Sequence, residues 1–152
     1  MEKMKKANIS FLIITILFFN VSCEWFAEGV YSIRIYNNSN DTVRYYESYN
    51  YPDTSLSHNK PILIGINPQD YGFWDSKKEW KKVLVSPHDT ASIFFLRERV
   101  YFDNWDEIKN EYHHVLKRYD LSLPDLQRLK WEVFYPPTEA MKDMKMYPPY
   151  GK

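Results

Sequence analysis

Cysteine occurs once, at position 23, which excludes an intrachain disulfide and any thiolate-rich zinc cluster. Only four glycines are present, none arranged as a phosphate-cradling loop, and no G-x-S-x-G nucleophile elbow occurs. The histidines are His58, His88, His113 and His114, and none stands at H-x-x-x-H or H-E-x-x-H spacing. On a helix the side chains of His113 and His114 would diverge by about 100°, so the pair reads as exposed or interfacial rather than metal-ligating. Charge of one sign is lacking too. The formal net charge is zero, so no strong field draws the chain to nucleic acid. Asp103, Asp106 and Glu107 cluster where a helix start favours negative charge, a capping arrangement rather than a catalytic one. A carboxylate pair for glycoside hydrolysis is recognised by its separation, which a sequence does not carry. No catalytic, cofactor-binding or metal residues are assigned, and the chain reads as non-enzymatic.

A long apolar run is also missing. Ile9 to Phe19 is about 11 residues, against the roughly 20 that a membrane-spanning helix needs. Preceded by Lys3, Lys5 and Lys6 and followed by Asn20-Val21-Ser22-Cys23, this run reads as a lipoprotein signal over residues 1–22. Ser22 supplies the small residue before a cysteine whose thiol becomes a diacylglyceryl thioether. Asn20 departs from the leucine usual at its position, and ordinary secretion is the alternative. Cleavage would make Cys23 the first mature residue, acylated with palmitate-type chains and bound to a lipid membrane more firmly than one chain allows. The signal carries three lysines and Glu2, leaving 17 basic and 19 acidic side chains in the mature part, or −2. The expected location is the cell envelope, at the outer or inner membrane, on a periplasmic or surface-exposed side.

What is abundant is aromatic side chain, 18% of the sequence, with Trp74, Trp80, Trp105 and Trp131 among many Tyr and Phe. The 130 mature residues suit one domain with a real core. Residues 23–29 read as a lipid-anchored tether, 30–137 as a single globular domain, and 138–152 as a loosely ordered tail. Alternation from Val30 to Ile35 predicts a strand, Thr42 to Tyr51 its partner, and Asn37 to Asp41 the hairpin turn between them. Short strands are expected over 61–66 and 69–74. Ser76 and Glu79 have capping-box spacing for a short helix carrying Trp80, Val83 and Leu84. Thr90 to Leu96 is apolar enough for a central strand. Asn104 with Glu107 predicts a helix over 104–118, the alternative being a break near His113-His114 with Val115 to Tyr119 extended. Ser122, Pro124 and Asp125 predict a further helix, and Trp131 to Tyr135 a closing strand.

This order of elements predicts an α+β fold: an antiparallel β-sheet with one short inserted helix and two C-terminal helices, or a β-sandwich carrying peripheral helices. Tyr45, Tyr49 and Tyr51 would share one strand face, which reads first as a sheet face covered by helix or loop and, in the alternative, as the candidate interaction surface for a protein or a sugar. The runs Tyr51-Pro52-Asp53-Thr54-Ser55-Leu56, Trp105-Asp106-Glu107-Ile108, Leu116 to Ser122, Asp125-Leu126 and Trp131 to Pro136 resemble small lipoproteins of unknown function from Bacteroides-type bacteria. That resemblance, over about residues 30–137, implies no activity. It does imply export by bacteria that O-glycosylate Asp followed by Thr or Ser and a small or aliphatic residue, making Thr42 in Asp41-Thr42-Val43 and Thr90 in Asp89-Thr90-Ala91 candidate sites. The expected role is an anchored, non-enzymatic protein-interaction or accessory module, with carbohydrate binding through aromatic platforms as the alternative.

Overall fold

A computed structural model describes residues 29–152. The signal over 1–22, the lipidation site Cys23 and the tether up to residue 28 lie outside the described residues. In chain order the elements are β1 (Tyr31–Asn37), β2 (Val43–Ser48), β3 (Ile64–Ile66), β4 (Asp70–Ser76), α1 (Trp80–Val83), β5 (Thr90–Arg97), α2 (Trp105–Ile108), β6 (Val115–Ser122), α3 (Leu123–Arg128), β7 (Glu132–Tyr135) and β8 (Lys145–Tyr147). The fold is α+β and sandwich-like. A five-stranded antiparallel sheet in the order β3-β2-β5-β6-β8 faces a three-stranded sheet in the order β4-β1-β7, in which β1 runs antiparallel to β4 and parallel to β7.

The side-chain pattern of each strand follows from what covers its two faces. In β1, Ile33, Ile35 and Asn37 are buried while Ser32, Arg34 and Tyr36 alternate to the outside, as the period of two requires for a half-covered sheet. Ile33, Ile35, Trp74 and Val133 from the smaller sheet meet Val43, Tyr45, Ile93, Phe95, Tyr119 and Leu121 from the larger one in the main core. The larger sheet is covered on its other face as well. There Tyr46, Phe94 and Leu96 pack under Leu56, Leu63, Val100, Trp105 and Ile108, contributed by loops and α2. Burial on both faces is why Ile93-Phe94-Phe95-Leu96 is continuously apolar, and β5 occupies the central position predicted for it. Two buried tyrosines join the sheets. The hydroxyl of Tyr45 on β2 donates to the Phe73 carbonyl on β4, and that of Tyr119 on β6 donates to the Phe134 carbonyl on β7, both at 2.8 Å.

Several expectations are corrected. β1 and β2 do not form a hairpin: they lie in different sheets, and Asn37 to Asp41 is a crossover. Its fixed point is the buried Asn37, whose Nδ2 donates to the carbonyls of Asp41, Ile66 and Asn67 at 2.8, 3.0 and 3.1 Å. Its Oδ1 accepts from the amide and hydroxyl of Ser39. Ser76 ends β4 and turns onto the main chain of Lys78 instead of capping α1, whose N-cap residue Glu79 makes no side-chain cap. The helix capped by Asn104 ends at Ile108, and the chain is extended from Val115, the alternative course, because pairing with β5 outweighs the local helical period. A C-terminal helix of 15 residues is thus replaced by one turn and a core strand. Ser122 and Asp125 do form the predicted capping box on α3, with Pro124 in its first turn. Residues 138–152 are more ordered than expected: Met141 and Met144 enter the main core, and β8 pairs with β6. Buried Lys117 holds that segment by donating to the Pro148 and Lys152 carbonyls at 3.0 and 3.1 Å.

Candidate functional site

Among the described residues no layer covers the outer face of the three-stranded sheet, and the strand registers set its side chains out in rows. Tyr71, Tyr36 and Phe134 form one row across β4, β1 and β7, Phe73, Arg34 and Glu132 the next, and Asp75 with Ser32 a third. Tyr71 and Phe73 are about half exposed, at 48% and 46%. At the centre, Arg34 Nη1 donates to the Tyr36 hydroxyl at 2.9 Å, which donates in turn to Glu132 Oε1 at 3.1 Å. The hydrogen bond to Tyr36 raises the guanidinium pKa further, followed by the charges of Tyr36 and Glu132, so Arg34 is a fixed cation. Its Cζ lies 5.2 Å from the ring centroid of Tyr71, 5.8 Å from Tyr36 and 5.9 Å from Phe73, within cation–π range of each. Ser32 donates to Asp75 at 2.5 Å.

The rings pack on one another. Tyr36 and Phe134 are stacked at 5.0 Å with a 9° interplanar angle, and Tyr71 meets Phe73 edge to face at 5.4 Å. Ring faces are therefore largely occupied by neighbouring rings and by Arg34, and edges and hydroxyls are what remain to be offered outward. At the end of the sheet the surface dips into a groove of about 260 Å³ lined by Tyr31, Ser32, Trp80, Leu123, Gln127 and Trp131. That is slightly below the 300 Å³ or so at which small-molecule pockets begin. Trp131 and Ser32 also border a smaller hollow beside Arg34, Phe73 and Glu132, making groove and aromatic rows one surface. Trp131 is held there by an unusual backbone: Lys130 and Trp131 have φ of 55° and 65°, left-handed values that disfavour non-glycine residues by roughly 1–2 kcal/mol each. The Trp131 carbonyl accepts from Arg34 N at 2.9 Å, coupling this turn to β1.

The residues singled out by sequence do not form this surface. Tyr45 is fully buried between the sheets. Tyr49 and Tyr51 lie past the end of β2 and do not share a strand face with it: the Tyr49 hydroxyl accepts from Trp74 Nε1 at 3.1 Å, and that of Tyr51 from Lys145 Nζ at 2.5 Å. Thr42 and Thr90 are half-buried at strand starts, Thr42 directed to Asn67 Oδ1 and Thr90 to Asp89. Asp106 pairs with Lys109 at 2.6 Å and its amide is capped by Asn104. His113 and His114 belong to a single 3₁₀ turn, Tyr112–His114, and not to an α-helix, and their ring centroids are 4.0 Å apart. The signal for the sheet face was present in the outward series Ser32, Arg34, Tyr36 and in Tyr71, Phe73. It names a face only once β1 is known to sit between β4 and β7.

Compared with known proteins, the chain matches no family model, no curated protein and no solved structure. Among the described residues no helix is long and apolar enough to cross a membrane.

Proposed function

We propose that this chain is a lipid-anchored protein of the bacterial cell envelope, held through acylated Cys23, whose outer sheet face docks a protein partner without chemistry of its own. The observation that carries the reading is the row arrangement of Tyr36, Tyr71, Phe73 and Phe134 around Arg34 on a face that no other layer covers. Aromatic residues and arginine are the side chains that dominate binding energy at protein interfaces. Rings locked by their neighbours lose little side-chain entropy on binding, which lowers one of the main costs of association. The lipoprotein signal and the Bacteroides-type resemblance supply the anchor and the compartment.

Cross-linking in intact cells of the native host tests this, comparing the natural chain with Tyr71→Ala/Phe73→Ala and with Cys23→Ala. A discrete partner should be recovered with the natural chain, fall at least about tenfold with the aromatic variant as two central contacts of 1.4 kcal/mol or more together would dictate, and vanish without the anchor. Recovery that ignores the aromatic variant overturns the reading. Carbohydrate binding has its own support in the groove, where Trp80, Trp131 and Tyr31 are accompanied by Ser32, Gln127, Glu79 and Lys81 as hydrogen-bonding groups. On that reading a soluble polysaccharide shifts tryptophan fluorescence in the natural chain and not in Trp131→Ala.

A further inference from the structure

The turn before β6 gathers three side chains that the sheet face does not use. Glu111 Oε2 lies 3.4 Å from His113 Nε2 and 3.5 Å from His114 Nε2, and ligand atoms of all three residues fall within 4.8 Å of one another. These separations exceed the 2.7–3.2 Å or so of a good N–H···O hydrogen bond. They match the edge of a ligand tetrahedron, which is roughly 3.3–3.6 Å for metal bonds of about 2.0–2.2 Å. Adjacent histidines on an α-helix could not do this. The three-residue turn brings their rings to a centroid distance of 4.0 Å, with 35° between planes.

The arrangement is anchored by main chain and by buried neighbours. Glu111 N donates to the Ile108 carbonyl at 2.8 Å, and His114 N donates back to the Glu111 carbonyl at 3.2 Å. Ile108 and Val115, on either side, are both buried in the second core. Tyr112, between the ligands, has its hydroxyl held by Arg118 at 2.5 Å and its ring against Tyr147 at 5.2 Å. The His114 side chain is 16% exposed, whereas those of His113 and Glu111 are 68% and 54% exposed, so one ligand is seated and two face solvent.

We infer that Glu111, His113 and His114 form a surface site for a borderline divalent cation, Zn²⁺ first, with water completing the coordination. Two imidazole nitrogens and one carboxylate oxygen are a donor set suited to that ion, and its single negative charge leaves the bound site cationic. Zinc titration calorimetry tests it on the full chain carrying Cys23→Ser, so that no thiolate competes. One Zn²⁺ should bind per chain in the micromolar range. Co²⁺ in its place should give the visible bands of a four-coordinate ion. His113→Ala and Glu111→Gln, both at exposed positions, should each weaken binding at least about tenfold while leaving the thermal midpoint of the metal-free protein in place. His58→Ala/His88→Ala should leave binding intact. Absence of saturable micromolar binding, or binding insensitive to His113→Ala and Glu111→Gln, overturns the site.

Discussion

Asn37 shows how much of this architecture can rest on one side chain. A buried carboxamide can give and accept at once, and Asn37 spends its amide on three carbonyls, one in its own crossover and two where β3 ends, and its oxygen on Ser39. An aspartate of the same shape would accept only, taking a donor from each of those carbonyls and burying a charge beside them. Asn37→Asp should therefore destabilise the protein at neutral pH by about 3–5 kcal/mol, visible as a lower urea midpoint at unchanged slope. Tyr45 and Tyr119 are residues of the same kind, polar at the tip and committed to the core. Their hydroxyls reach the carbonyls of Phe73 and Phe134, residues whose rings stand on the candidate face. The side chain that sequence reading offered as a surface contact thus supports that surface from beneath. Alternation along β2 separates two faces but does not say which is covered, and here both are.

At the level of elements, the end of α3 is the clearest departure from local preference. Trp131 N donates to the Leu126 carbonyl and Lys130 N to that of Gln127, the paired bonds of a Schellman ending, yet lysine stands where glycine is usual. Lys130→Gly should raise stability by about 0.5–1 kcal/mol in thermal or urea denaturation, since the left-handed strain is removed and the side chain is exposed. Elements whose signals are contained within a few residues were legible: the capping box of Ser122 and Asp125, the Asn104 cap, the apolar β5. What a distant partner decides was not. Asn and Asp in 37–41 signal a turn correctly but cannot tell a hairpin from a crossover. Val115 to Tyr119 carries a helical spacing and is extended because β5 lies beside it. The segment after Thr138 reads as polar and proline-broken, and it is ordered by Met141, Met144 and the grip of Lys117 from another strand. The aromatic face was illegible for the same reason, being assembled from β1, β4 and β7 across nearly a hundred residues.

For the molecule as a whole, the buried tyrosines set the alkaline limit. Burial pushes the hydroxyls of Tyr45, Tyr46 and Tyr119 well above their ordinary value near 10, while the unfolded chain ionises them there. Their contribution to stability is fully present below about pH 10 and is lost as pH rises toward the folded values, because only the unfolded state then releases the protons. Lys117 works in the opposite sense, burial lowering its pKa, but it is one group against three. Tyrosinate absorbance followed together with circular dichroism should show a late fraction of tyrosines ionising in step with cooperative unfolding above about pH 10. A smooth titration with the fold intact would contradict this.

The position of β1 bears on more than packing. It is the first described strand, it follows directly on the segment that carries Cys23, and it lies between β4 and β7 with main-chain bonds to both. Tension applied through the N-terminal segment enters the fold at Tyr31, and along the strand axis it loads both ladders in shear. All the bonds share such a force, whereas an edge strand peeled from its end would surrender them in sequence. Under the anchoring proposed above, such a domain would resist traction at its point of attachment, and the neighbours that would take up the strain, Phe73 and Phe134 among them, are the residues on which a docked partner would pull from the other side.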